Sequence, residues 1–145
     1  MRIAVLSDSH NRLPVSVCDA IGGADEIWHL GDVIEISVIG VLRDIVPKVR
    51  VVRGNCDEYS GWPPVEQFEL AGLRFHLVHI PPSHVPEGID VLIHGHTHVP
   101  RDEKIRGVRF LNPGTVGGPT KGAPPSFAWL TIEEGQPLGW KIMRV

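Results

Sequence analysis

Cysteine is scarce in this 145-residue sequence, tyrosine occurs once, and no apolar run is longer than a strand. Cys18 and Cys56 lie far apart and neither sits in a CxxC pair, so they make no disulfide framework and no thiolate-rich zinc site. With no signal-like start to the chain either, a reducing cytoplasm is the expected setting. Nothing approaches the roughly 18 apolar residues that a membrane span needs, so no membrane partner is expected. An excess of one charge is also missing. Fourteen basic against 17 acidic residues give a net charge of -3, with no electrostatic reason to expect a nucleic acid polymer. Long linkers, low-complexity tracts and repeats are absent, which predicts a single domain over residues 1–145 with one substantial core. Histidine, by contrast, is plentiful, with eight copies.

The apolar runs follow a readable order. RIAVLSD is apolar on both faces and predicts a buried strand, Ile3–Ser7. In NRLPVSVCDAIGG, Pro14 suits a first helical turn and Gly22–Gly23 suit its end. EIWHLGDV reads as a second strand, IEISVIGVLRDIVP as a helix stopped by Pro47, and KVRVVRGNCD as a third strand. This alternation predicts a parallel α/β layer. From Val65 the pattern turns to β. QFEL-AG-LRFHLVHI predicts a hairpin about Ala71–Gly72, and GIDVLIHGHTH, VRFLNPGT, SFAWLTIE and GWKIMRV predict further strands. The expected fold is α/β, a two-sheet mixed β-sandwich flanked by helices.

Polar residues collect where these strands stop. The first ends in Asp8 and His10, the second in Asp32, the third in Asn55, and the later pair in His79 and in His96 with His98. Asp8, Asp32, Asn55 and His79 are spaced by 24, 23 and 24 positions, about one strand-plus-helix unit each. Loops at the carboxyl ends of parallel strands converge on one crevice, so these distant residues can meet. Glycines before Asp32, Asn55 and His96 permit the close backbone approach that such a meeting requires. Two carboxylates, one amide and four imidazoles are too many donors for one tetrahedral ion and suit two ions sharing a bridge, with Asp32 the best candidate for it. Mixed nitrogen and oxygen donors point to manganese, iron, nickel, cobalt or zinc.

In this order and spacing, DSH, GD, GNCD, a lone later histidine and GHTH resemble the calcineurin-like metallophosphoesterases. NPGT with its Gly/Pro-rich continuation is similar to their compact single-domain phosphodiesterase branch, and the likeness runs from residue 3 to about 135. The resemblance implies a four-layer α/β/β/α sandwich. It implies two divalent ions, manganese first, with Asp8, His10 and His98 on one, Asn55, His79 and His96 on the other, and Asp32 between. The implied reaction is hydrolysis of a small-molecule phosphoester by a metal-bound hydroxide, with Asp32, Asn55 and His96 as catalytic residues.

Two positions depart from the family pattern. Cys56 stands where many members carry an acidic histidine, which favours phosphodiesters with good leaving groups. Ile80 and Pro81–Pro82 follow the lone histidine where the family has glycine, a departure that bears on His79 more than on any other ligand. The alternative is a protein-binding scaffold on the same fold, resembling the small subunit of retromer, and a homo-oligomer is left open. His94 is expected to be a buried, supporting histidine. His29, His76 and His84 are read as packing or solvated residues, and Arg12 and Lys121 as candidates to meet a phosphate.

Overall fold

Ile3 to Leu6 carry no polar side chain on either face, and they form the middle of a sheet. A computed structural model describes residues 1–118 and 122–145, so Lys121 lies outside the described residues. The order is β1 (Arg2–Leu6), α1 (Val15–Ile21), β2 (Glu26–His29), α2 (Ile36–Ile45) and β3 (Val49–Val51). Then follow β4 (Val65–Leu70), β5 (Leu73–Val78), β6 (Val91–Ile93), β7 (Arg101–Ile105), β8 (Val108–Asn112), β9 (Ser126–Thr131) and β10 (Gly139–Arg144). The first sheet runs β10-β9-β1-β2-β3 and the second β4-β5-β6-β8-β7. Strands β1, β2 and β3 pair in parallel, as do β5, β6 and β8. The mixed two-sheet sandwich expected from the sequence is therefore the fold.

Alternation along each strand builds the layers. Ile3, Val5, Trp28, Ala128 and Leu130 meet Phe75, Leu77, Val91, Ile93 and Leu111 between the sheets. On the other face of the first sheet, Ala4, Leu6, Ile27, Phe127 and Trp129 receive Val17 and Ile21 of α1 and Val38, Ile39 and Leu42 of α2. Both helices thus serve one sheet. The outer face of the second sheet, with Val78, Leu92, Val108 and Phe110, is covered by Val85 and Ile89 from the connection between β5 and β6. A loop fills the fourth layer.

Local chemistry explains the boundaries. Pro14 caps α1 and Gly22 closes it. The hairpin turn falls on Ala71 and Gly72, both at positive φ (53° and 76°), a pairing that matches the twist of the flanking strands. The outermost strand, β7, is absent from the sequence reading. RDEKI has no apolar face to signal a strand, and it is held by pairing with β8 across the Arg106–Gly107 turn. No helix among the described residues is long and apolar enough to cross a membrane.

Trp28 is fully buried between the sheets, edge-on to Phe68 and Phe75, with its indole N–H donated to Glu26 Oε2 at 3.0 Å. Trp28→Ala removes that contact from both sheets. It is expected to cost about 3–5 kcal/mol, read as a lowered urea midpoint with the slope unchanged.

Candidate metal centre

The loops that follow β1 and β2 continue side by side past the end of the sheet. Amide N–H groups of Asp8 and His10 donate to the carbonyls of Gly31 and Asp32, each at 3.0 Å. This carries Asp8 and Asp32 out of the parallel ladder as neighbours. Each then has one carboxylate oxygen tied down. Asp8 Oδ2 accepts from the Ser7 hydroxyl at 2.6 Å and the His96 amide at 3.1 Å, and Asp32 Oδ1 accepts from the Cys56 amide at 2.9 Å. The other oxygen of each is left to face the histidines.

His10 Nε2 lies 3.8 Å from Asp8 Oδ1 and 3.6 Å from Asp32 Oδ2, and His79 Nε2 lies 3.8 Å and 3.3 Å from the same two atoms. His98 Nε2 is 3.0 Å from Asp8 Oδ1. The Nε2 atoms of His10 and His79 are buried without a hydrogen-bond partner. Lone pairs buried beside two carboxylates are what a divalent cation would satisfy, so the donor set fits a metal. Asp8, His10 and His98 bring donor atoms mutually within 4.8 Å, as do Asp8, Asp32 and His79.

His79 keeps its place beside Asp8 and Asp32 despite Ile80. Its ring is 2% exposed, whereas the Ile80 side chain points outward. The Nδ1 of His79 donates to the Leu30 carbonyl at 2.6 Å, which fixes the ring and turns Nε2 inward. Burial works against its charged form, but the nearby Asp32 and Asp8 carboxylates prevail and raise its pKa. Burial would likewise raise Asp32, yet His79 and the Cys56 amide hold its carboxyl well below the usual range. At the exposed rim, Asn55 Oδ1 stands 3.1 Å from His96 Nδ1, and the His96 ring meets His79 edge-on at 5.3 Å. All seven residues read from the sequence thus share one end of the sandwich.

Strain marks the site. Asp8, His10, Asp32, His96 and His98 all have positive φ, from 43° to 67°, a region uncommon for non-glycine residues, and here five of them gather at one site. A methyl group on Gly54 would strike the Asp32 carboxylate, and one on Gly95 the Ser7 hydroxyl.

Several supporting residues went unread in the sequence. Asp57 is buried and accepts from the amides of Asp32 (2.9 Å), Ile34 (2.7 Å) and Gly54 (2.7 Å), locking the β2 and β3 loops together. His29, taken as simple packing, accepts from the Gly31 amide through Nδ1 and contacts the Ser9 hydroxyl through Nε2 at 3.1 Å. His94 fulfils its supporting role, with Nδ1 2.9 Å from the Gly95 carbonyl and Nε2 3.2 Å from Arg101 Nη1. Asn112 donates to the Gly95 carbonyl and the Thr97 hydroxyl, and Thr115 to the Asp8 carbonyl, so NPGT braces the GHTH loop. Arg12 is exposed, beside Gly118. His76 pairs with Gln67 on the outer sheet face, and His84 is exposed.

Residues 1–135 match the calcineurin-like phosphoesterase superfamily domain. A probable metallophosphoesterase of Methanothermobacter thermautotrophicus is 32% identical over 162 residues, covering 99% of this chain and 92% of that protein. Phosphodiesterase YfcE of Escherichia coli is 31% identical over 160 residues, covering 90% and 87%. A solved structure of YfcE superimposes with a TM-score of 0.78 over 90% of this chain and 88% of that one, at 30% identity. Vps29 of Entamoeba histolytica, solved in complex with zinc, gives a TM-score of 0.80 at 25% identity, over 100% and 98% of the chains.

Two outcomes follow from the supporting residues. Asp57→Ala strands three amides and is expected to lower stability by at least about 3 kcal/mol in denaturant titration. Burial pushes His29 and His94 down to about 4 from 6.5, so both take up a proton on unfolding between those values. Stability in the presence of chelator should therefore fall as pH drops through that window, on the order of 3 kcal/mol per ring at its end. In thermal melts recorded against pH, His29→Gln should flatten the slope there. An unchanged slope would remove His29 as its source.

Proposed function

The chain belongs to the calcineurin-like phosphoesterase superfamily, and we propose that it is a divalent-metal-dependent phosphodiesterase acting on small phosphodiesters at a two-metal site. The observation that carries this reading is the Asp32 Oδ2 and Asp8 Oδ1 pair, turned toward the buried, unpartnered Nε2 atoms of His10 and His79. Asp8, His10 and His98 would hold one ion and Asn55, His79 and His96 the other, with Asp32 between them. Manganese is the first choice, with iron, nickel, cobalt or zinc as alternatives on the same donors. Once bound, such ions bring the pKa of water from about 15.7 towards 7 and offset charge on phosphoryl oxygens.

The chain's own side chains do the rest. Ser7, the His96 amide and the Cys56 amide each occupy a carboxylate oxygen, so that Asp8 and Asp32 offer the other without rotating. Asn55 and His96, held together at the open rim, meet an incoming phosphoryl group from the solvent side. Cys56 lies beside them where many members of the family carry a histidine acid. Diesters with good leaving groups, which need no proton donor, are therefore the favoured substrates. The likeness to Vps29 motivates a scaffold reading, but the full donor set remains in place, which speaks for catalysis.

The test is hydrolysis of a chromogenic phosphodiester by metal-stripped protein with and without added manganese. Turnover is expected only with metal, and Asp8→Ala or His98→Ala should reduce it by at least about a hundredfold. Turnover indifferent to chelator and to both substitutions would overturn the proposal. No bound ion together with no turnover would favour the scaffold.

A further inference from the structure

We propose that Cys56 is a sulfur ligand of this centre, forming with His10 and Asp32 a mixed nitrogen–oxygen–sulfur cradle that raises its affinity for zinc and cobalt relative to a site of nitrogen and oxygen donors alone. The proposal rests on the metal reading above and adds a ligand to it. Donor atoms of His10, Asp32 and Cys56 lie mutually within 4.8 Å, a spacing that one cation can span. The placement of the thiol is enforced by its own backbone. The Cys56 amide donates to Asp32 Oδ1 at 2.9 Å, and the Asn55 side-chain amide reaches the sulfur at 3.5 Å.

Two imidazole nitrogens, one of them that of His10, approach the carboxylate of Asp32 that the cradle shares. His10 Nε2 is buried without a partner 3.6 Å from Asp32 Oδ2, and His79, 2% exposed, presents an unpartnered Nε2 3.3 Å from that oxygen. The sulfur itself sits on an exposed residue at the mouth, open to an ion arriving from solvent. On ligation a sulfur–metal bond forms and the thiol proton passes to the buffer. Thiolate is a soft donor, which favours zinc, cobalt and iron(II), whereas manganese is held by the nitrogen and oxygen donors alone. A thiol engaged in this way is also withdrawn from acid catalysis, consistent with substrates that need no acid.

The test is cobalt(II) titration of metal-stripped protein, followed by absorption. Cobalt bound to the wild type should show visible d–d bands together with a thiolate-to-cobalt charge-transfer band in the near ultraviolet. Cys56→Ser should keep the d–d bands and lose the charge-transfer band. Cys18→Ala, at the chain's other cysteine, should keep both. Competition between zinc and manganese should show the affinity ratio falling roughly tenfold or more in Cys56→Ser. If d–d bands appear without charge transfer in the wild type, or if the charge-transfer band survives in Cys56→Ser, the sulfur ligand is overturned while the metal centre stands. If no cobalt binds at all, both fall.

Discussion

Asp8 and Asp32 are two buried carboxylates facing the same imidazoles, and much of the molecule serves to keep them there. Like charges held close in a low-dielectric interior repel strongly unless positive charge lies between them. In the metal-free chain, the raised pKa of His79 lets a proton supply part of that charge. A divalent cation would supply more, so cation and proton would compete for one space and metal affinity would depend on pH.

Holding this arrangement has a conformational cost, spread over the sandwich. Five of the seven donor residues adopt backbone angles that L-residues avoid. They stay there because the surrounding bonds over-determine them. Asp57 holds three amides, Asn112 and Thr115 brace GHTH and Asp8, and neutral His29 and His94 fill polar gaps without adding charge. The strands beneath are packed on both faces, so the loops start from fixed points.

The sequence announces what repeats and conceals what converges. Buried strands such as RIAVL and VLI and the Ala71–Gly72 hairpin are local patterns that read correctly, and the regularly spaced polar residues at the strand ends do come together. Strand β7 escapes notice because four of its five side chains are charged and its strand character comes from pairing with β8. Asp57 is visible in GNCD, but only the folded chain shows that amides from two loops converge on it. His29 looks like packing beside Trp28, because its partners Ser9 and Gly31 come from separate loops. Ile80, where the family has glycine, raises the question of a shifted His79. The side chain instead turns to solvent, and the position of the ring is decided by Leu30, 49 residues away. The helices, expected to flank the sandwich, lie on one side, because the β5–β6 connection writes no helical period.

Strand β7 carries one more implication. As one of the two edge strands of its sheet it leaves backbone groups unpaired on one side, an invitation to another chain. Its side chains withdraw that invitation: Asp102, Glu103 and Lys104 are exposed, and Asp102 is gripped by Arg109 and Glu103 by Arg101. A strand docking there would have to strip water from charges already satisfied. The fold thus guards its own border against fibrillar growth with residues that play no part in its chemistry.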